Sequence, residues 1–126
     1  MMSQEIYLEK YDWTVLVYYG TDPEKADEIC AILEKIGCSD KAVGEAREHF
    51  LQSSENAGLT YSNTADRKSV VAINRTTSWN EFVNTVSHEM FHVVCHICCT
   101  LGIDLKGEEP CYLMGWLCQS VSRLFI

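Results

Sequence analysis

The chain contains stretches in which bulky apolar residues follow one another at the spacing typical of strands. Residues 5–11 alternate charged and bulky side chains, and residues 13–19 are rich in β-branched and aromatic residues, which together predict one strand ending at Gly20. Further along, residues 59–62 and 68–74 flank a polar turn and predict a hairpin. These stretches predict a small antiparallel or mixed sheet of about three strands.

Between the predicted strands, apolar residues recur at three- and four-residue steps, as on one face of a helix. The first helix is predicted to have Asp22 as its N-cap and to end at Gly37. The second has either Ser39 or Asp40 as its N-cap and fades after Leu51. The apolar stripe of the first helix is expected to face the sheet, and the acidic polar positions of the second helix are expected to be exposed.

A long helix is predicted from residue 78 to residue 101. It begins with Ser78-Trp79-Asn80-Glu81, the capping box in which the serine and the glutamate each satisfy a free backbone amide, and it ends at Gly102. After a short loop, a last helix is expected over about 108–124, with two acids and a proline in its first turn. Strands and helices together predict an α+β fold, with the sheet packed on the long helix.

Length and composition narrow the class of protein. The 126 residues fit a single domain spanning 1–126, and the 47% hydrophobic and 22% charged residues are those of an ordinary globular chain. A net charge of −8 without clustered Lys and Arg argues against nucleic acid as a partner. No apolar run reaches the roughly 20 residues of a membrane span, so no membrane partner is expected.

The cysteines indicate a reducing compartment. Their number, seven, is odd, and the N-terminal residues show no basic segment followed by an apolar run that would export the chain. A cytoplasmic location is therefore expected. Five of the seven fall in the two predicted C-terminal helices, where they are interpreted as small buried apolar residues rather than as metal ligands.

The long helix carries the motif H-E-x-x-H, formed by His88, Glu89 and His92. On a helix, imidazoles at positions i and i+4 project from one face about 6 Å apart along the axis, so one Zn²⁺ can bind both while the glutamate activates a water molecule. Two histidines and a glutamate amid apolar residues would also be costly to bury without partners. The motif therefore predicts a metal site with hydrolytic chemistry.

The other two histidines are not predicted to be ligands. His96 continues the four-residue spacing, but it lies about 12 Å along the axis from His88, which is too far for both to bind one ion. It is interpreted as a packing residue or as a support for the ligands. His49 lies far away in sequence beside an apolar stripe, and it is interpreted as a packed or surface residue.

A catalytic zinc site needs a third protein ligand, and a carboxylate at the start of the last helix is the candidate. Glu109 shares a face with Tyr112 and Trp116, whereas Glu108 is one position away, and spacing alone does not separate the two acids. The short loop after Gly102 makes the last helix an antiparallel neighbour of the long one. Its first turn then meets the far end of that helix unless the two cross at an angle.

The motif, together with Glu109-Pro110-Cys111-Tyr112-Leu113-Met114-Gly115-Trp116, resembles small zincin-type (gluzincin-like) metallopeptidases of phage and bacterial mobile elements. The resemblance covers roughly residues 78–120, and the chain departs from it at Cys111, where those proteins often have alanine or phenylalanine. It implies a minimal zincin-like fold and Glu109 as the third zinc ligand. It also implies that an edge strand, here 68–74, lines the cleft and pairs with an extended substrate.

We therefore expect a zinc-dependent hydrolase that acts on a peptide or protein substrate. His88, His92 and Glu109 are the expected ligands, Glu89 the base, and Tyr112 a donor to the oxyanion. Manganese, iron or cobalt would also suit these ligands. Two alternatives are a metal-binding module without catalysis, serving a phage or mobile-element complex, and a small interaction protein without metal. Oligomeric state is not predicted.

Overall fold

The computed structural model of the protein describes residues 1–122. Its four strands are β1 (Met2–Leu8), β2 (Trp13–Thr21), β3 (Gly58–Asn63) and β4 (Lys68–Asn74). Its four α-helices are α1 (Ala26–Lys35), α2 (Asp40–Leu51), α3 (Trp79–Leu101) and α4 (Glu108–Ser122), and two 3₁₀ turns occupy Glu9–Tyr11 and Pro23–Lys25. The α+β class is confirmed, although the predicted end of the last helix near residue 124 lies outside the described residues.

The strands form one mixed sheet in the order β1-β2-β4-β3. The β2 strand pairs antiparallel with β1 and parallel with β4, and β4 pairs antiparallel with β3. The single strand predicted before Gly20 is in fact two, because a 3₁₀ turn reverses the chain between them. Only Ile6 and Leu8 of β1 are buried, so its hydrophobic pattern is too weak to predict a strand without its partner.

The sheet is covered on both faces. Alternate residues of β2 point to opposite sides: Val15 and Val17 pack with α3 and α4, whereas Leu16 and Tyr18 pack with α1 and α2. The β4 strand is buried on both sides, which explains why residues 70–73 form a continuous apolar run rather than an alternating one. The long helix α3 therefore lies on one face of the sheet, between α4 and β3.

Helix ends follow the local sequence signals, except that the predicted start of the first helix after Asp22 forms a 3₁₀ turn and α1 itself begins at Ala26. Asp22 accepts a hydrogen bond from the amide of Glu24, Ser39 from that of Ala42, and Ser78 from that of Glu81. Gly102 ends α3 with a φ of 70°, the left-handed conformation that glycine adopts without strain. None of the helices within residues 1–122 combines the length and the apolar character that crossing a membrane requires.

All seven cysteines are free thiols. Cys30 and Cys98 are buried among apolar side chains, as expected of small hydrophobic residues, and burial raises the pKa of both thiols. Cys99 and Cys111 are exposed, which the sequence interpretation did not anticipate for residues in amphipathic helices. Within the described chain, none of them belongs to a group able to hold a metal ion.

Candidate metal centre

His88 and His92 lie one turn apart on the same face of α3, as the motif predicts. Their rings meet edge to face with centroids 5.0 Å apart, and both side chains are exposed. One potential ligand atom from each histidine and one from Glu89 all lie within 4.8 Å of one another. Donors on a tetrahedral zinc are about 3.4 Å apart, so small rotations of exposed rings bring this group to binding distance. These three residues could hold a metal ion.

Glu89 is buried between α3 and β3, with only 4% of its surface exposed. The Thr60 hydroxyl lies 3.1 Å from its Oε1 atom and 3.3 Å from its backbone oxygen, and can donate to either. Its Oε2 atom lies 3.9 Å from Nε2 of His88. One carboxylate oxygen is therefore anchored to the sheet, while the other faces the imidazole side of the cluster.

Gly58 provides the space that Glu89 occupies. A Cβ atom at this position would lie 2.6 Å from Cγ of Glu89 and 3.1 Å from Cγ2 of Thr85, and the first distance is shorter than any side chain tolerates. The Thr85 hydroxyl in turn donates to the carbonyl of Asn56, which closes the packing around the start of β3. Sequence reasoning missed Gly58, because its importance depends on a helix 30 residues further along the chain.

The metal-capable group opens into a cavity of about 230 Å³ at the free edge of β3. Eight residues line it: His49, Gly58, Leu59, Thr60, Tyr61, His88, Glu89 and His92. A second cavity of about 180 Å³ shares Gly58, His88 and Glu89 with the first. The cavity wall thus includes α2 as well as α3, and His49, which was interpreted as a packed or surface residue, is part of it.

The strand beside the site is β3, not β4. The expectation that residues 68–74 form the edge strand is wrong, because β4 lies between β2 and β3 and is buried. The backbone amide of Asn74 donates to the carbonyl of Ala57, so these two residues form a hydrogen-bonded pair. Such pairs alternate along an antiparallel ladder with pairs that share no hydrogen bond, and Gly58 with Ile73 is a pair of the second kind. It follows that Thr60 and Ser62 direct their backbone N–H and C=O groups outward, along the edge next to the cavity.

His96 is engaged on the sheet side of α3. Its Nδ1 atom lies 2.6 Å from Oγ of Ser62, which lies 2.7 Å from Oγ of Ser69, and the indole N–H of Trp13 donates to Ser69. The indole can only donate, whereas either serine hydroxyl can donate to the other, and Nδ1 of His96 donates or accepts according to the tautomer of the ring. Burial, and then the nearby His92, lower the pKa of the His96 imidazole. His96 is half-buried and packed against the sheet, which agrees with its interpretation as a packing residue.

Glu109 lies elsewhere. It accepts hydrogen bonds from the Tyr11 hydroxyl at 3.0 Å and from Nζ of Lys10 at 2.8 Å, and the bonds from Lys10 and then from Tyr11 lower its pKa. Within residues 1–122 it is not part of any group whose ligand atoms come together for a metal ion, and neither is Glu108. The structure therefore does not assemble His88, His92 and Glu109 into a ligand set.

The antiparallel packing of α4 on α3 explains this separation. Ser87 of α3 shares a small cavity with Cys118, near the end of α4. At the other end of the two helices, Glu109 lies near enough to Cys98 to affect it. The pKa of Cys98 is raised by burial, then by the neighbouring thiols and then by Glu109. Cys98 is six residues beyond His92, about 9 Å along the helix axis. The first turn of α4 consequently meets the far end of α3, and no steep crossing brings Glu109 back.

Tyr112 also lies apart from the histidines. It is 75% exposed and lines a different cavity, of about 560 Å³, with Tyr7, Tyr11, Glu109 and Trp116. It does not line either cavity at His88. The predicted role as an oxyanion donor therefore has no geometric support in this structure.

Comparisons of the chain with known proteins find no match. The chain matches no protein-family model, no curated protein and no solved structure. The resemblance to small zincin-type peptidases thus stays a prediction from the motif.

Proposed function

We propose that the protein is a metal-dependent hydrolase, most simply a zinc peptidase, with its active centre at the free edge of β3. One observation carries this proposal: His88, Glu89 and His92 offer ligand atoms within 4.8 Å of one another beside an accessible cavity. A buried carboxylate next to two exposed imidazoles is costly without a cation and is stabilised by one. Imidazole donors favour zinc, although they also suit manganese, iron or cobalt.

In this proposal His88 and His92 are ligands and Glu89 is the general base. A bound divalent ion would supply a Lewis acid and lower the pKa of a water molecule at the site. Oε2 of Glu89, on the side of the imidazoles, would accept a proton from a water molecule in the cavity and return it to a leaving amine, while the Thr60 hydroxyl holds Oε1. Burial of Glu89 keeps bulk water away from the transferred proton.

A peptide is the substrate class that the surroundings favour. The outward-facing backbone groups of Thr60 and Ser62 can form a ladder with an extended chain, as edge strands do when they bind peptides. Such a chain would pass along the cavity with its carbonyl groups beside His88 and His92. The proposal thus assigns to β3 the pairing with an extended substrate that the resemblance to zincin-type peptidases implied for β4.

A non-catalytic metal-binding module is the second candidate, and the size of the cavity favours it. At about 230 Å³ the cavity is smaller than the roughly 300–1,000 Å³ of typical small-molecule sites. In such a module the ion would join α3 to a partner protein, and Glu89 would be a ligand instead of a base.

The variant Glu89→Gln separates the two candidates. If Glu89 is a base, the variant keeps its metal affinity within about threefold and loses turnover of an unstructured peptide by roughly 100-fold or more. If Glu89 is a ligand, the variant loses metal affinity. Glu108→Gln, an exposed acid at the start of α4, is the control and should change neither quantity. Wild-type protein that takes up less than about a tenth of an equivalent of added zinc would contradict both candidates.

A further inference from the structure

The proposed centre lacks one protein ligand. Catalytic zinc sites hold the ion with three protein side chains and leave one position for water, whereas His88 and His92 supply two if Glu89 is the base. Glu109 is bound to Lys10 and Tyr11 at the far end of α3. Within residues 1–122, the candidates for a third ligand are therefore the side chains of the cavity wall.

The cavity wall contains one further imidazole, that of His49. The other lining side chains, apart from the motif, are Leu59, Thr60 and Tyr61, with Gly58 contributing backbone only. The Thr60 hydroxyl is occupied by Glu89, and a tyrosine must lose a proton before it binds an ion well, which burial of Tyr61 opposes by raising its pKa. A neutral imidazole needs no such step and is the commonest metal ligand in proteins.

The backbone that carries His49 is well anchored. It lies in the last turn of α2 between Ala46 and Phe50, both of which are about 1% exposed. The loop after α2 is tied to the end of β4, because the Asn74 side chain donates to Oγ of Ser53 and to the carbonyl of Ser54 at 2.9 Å. The position of α2 beside the cavity is thus set by buried contacts.

The ring of His49, in contrast, is free to turn. The side chain is exposed and has no hydrogen bond, ion pair or ring contact with any residue of the described range 1–122. His49 lines the cavity, but its nitrogen atoms are not among the ligand atoms that lie within 4.8 Å of one another. Rotation about two side-chain bonds moves the ring while α2 stays in place, at the cost of some side-chain entropy.

We propose that His49 is the third metal ligand, and that it turns into the cavity when an ion binds to His88 and His92. This inference rests on the proposed metal site and deepens it. The ion then joins α2 to α3 across the edge of β3, and Glu89 remains unbound to the metal as the base. The ligand set is three histidines from two helices, in place of two histidines and a glutamate from α4.

Zinc affinity by chelator competition tests the proposal on wild type, His49→Ala, His49→Asn and His88→Ala. We expect both His49 variants to bind zinc at least about 100-fold more weakly than wild type, beyond the roughly 10- to 100-fold cost of losing an outer-shell partner. The matched control is Glu48→Ala, an exposed neighbour on α2 that should bind zinc like wild type. Circular dichroism of each variant without metal shows whether the fold is retained.

Two structural measurements test directly whether His49 binds the ion. X-ray absorption of the zinc-loaded protein should show three imidazole nitrogens in wild type and two in His49→Ala. Zinc should also slow hydrogen exchange at residues 45–52 of α2 in wild type, and not in His49→Ala.

The outcomes separate this inference from the proposed function. Wild type that binds no zinc overturns both. Wild type that binds zinc through two imidazoles, with His49→Ala binding equally well, overturns only the role of His49. Unchanged zinc affinity with reduced turnover in His49→Ala makes His49 a contact for substrate and also overturns its role as a ligand.

Discussion

Two glutamates, Glu89 and Glu109, were both assigned to the active site from sequence, and their surroundings differ. Glu89 is buried beside a neutral hydroxyl and two imidazoles. Glu109 is partly exposed and paired with the ammonium group of Lys10 and the Tyr11 hydroxyl. A buried carboxylate without a cationic partner gains from a metal ion, whereas one that already has such a partner gains less. Local surroundings, more than residue type, therefore decide which of the two carboxylates would gain from a bound cation.

The largest effect on zinc binding should come from removing a proposed metal ligand beside Glu89. His88→Ala is expected to weaken zinc binding by at least about 1,000-fold, equivalent to about 4 kcal/mol, since it leaves His92 without its partner on the same face. Isothermal titration with zinc measures the change. A loss of less than tenfold would show that His88 is not a ligand.

Gly58→Ala should disturb Glu89 without touching the histidines. The new Cβ atom would lie 2.6 Å from Cγ of Glu89, so the carboxylate must move. We expect a loss of about 1–3 kcal/mol in unfolding free energy, and a 10- to 100-fold loss of turnover with little change in zinc affinity. Urea unfolding and peptide assays provide the measurements.

The control for this substitution is Gly44→Ala in α2, where a Cβ atom meets nothing within 4 Å. It should be neutral or stabilising by about 0.5–1 kcal/mol, because alanine favours a helix over glycine. Equal effects of the two substitutions would contradict the close fit between Gly58 and Glu89.

Ser62→Ala interrupts the hydrogen-bonded chain that runs from Trp13 to His96. The substitution removes the hydroxyl that links Ser69 to the His96 ring, which should cost about 1–2 kcal/mol in unfolding free energy. Nitrogen-15 shifts of the His96 ring should differ between wild type and the variant, because Nδ1 loses its hydrogen-bond partner. The exposed Ser54→Ala is the control, and a Ser62 variant as stable as it would argue against the chain.

The smallest effect is expected at Glu109. Glu109→Gln should leave zinc affinity unchanged within about twofold, since the residue does not share the site of His88 and His92. Its pKa is lowered in the folded state, so its contribution to stability is present at neutral pH and is lost as the pH falls below about 4.5.

Melting temperatures at pH 7 and pH 3.5 test the pH dependence. The difference between wild type and Glu109→Gln should be larger at pH 7 than at pH 3.5. A strong loss of zinc affinity in this variant would support Glu109 as the third ligand and would contradict the difference drawn between Glu89 and Glu109.

Much of the local structure was predictable because it depends on neighbouring residues. The cap at Ser78 and the stop at Gly102 were predicted correctly, Ser39 is the N-cap where the sequence left Ser39 and Asp40 open, and Asp22 caps the 3₁₀ turn that precedes α1. Each is a contact between residues at most four positions apart. The alignment of His88 and His92 follows in the same way from helix geometry. By contrast, β1 was not predicted as a separate strand, because its polar pattern becomes a strand only through pairing with β2.

The sequence by itself determined the α+β class, the long capped helix and the pairing of His88 with His92, because helix periodicity and capping act within a few residues. Only the tertiary structure decided that β3 is the edge strand, that Gly58 makes room for Glu89 and that His49 faces the same cavity. It also separated Glu109 from the histidines, since the direction in which α4 packs on α3 depends on burying apolar surface across the whole sheet. The spacing of residues within a motif therefore carries no information about such long-range packing.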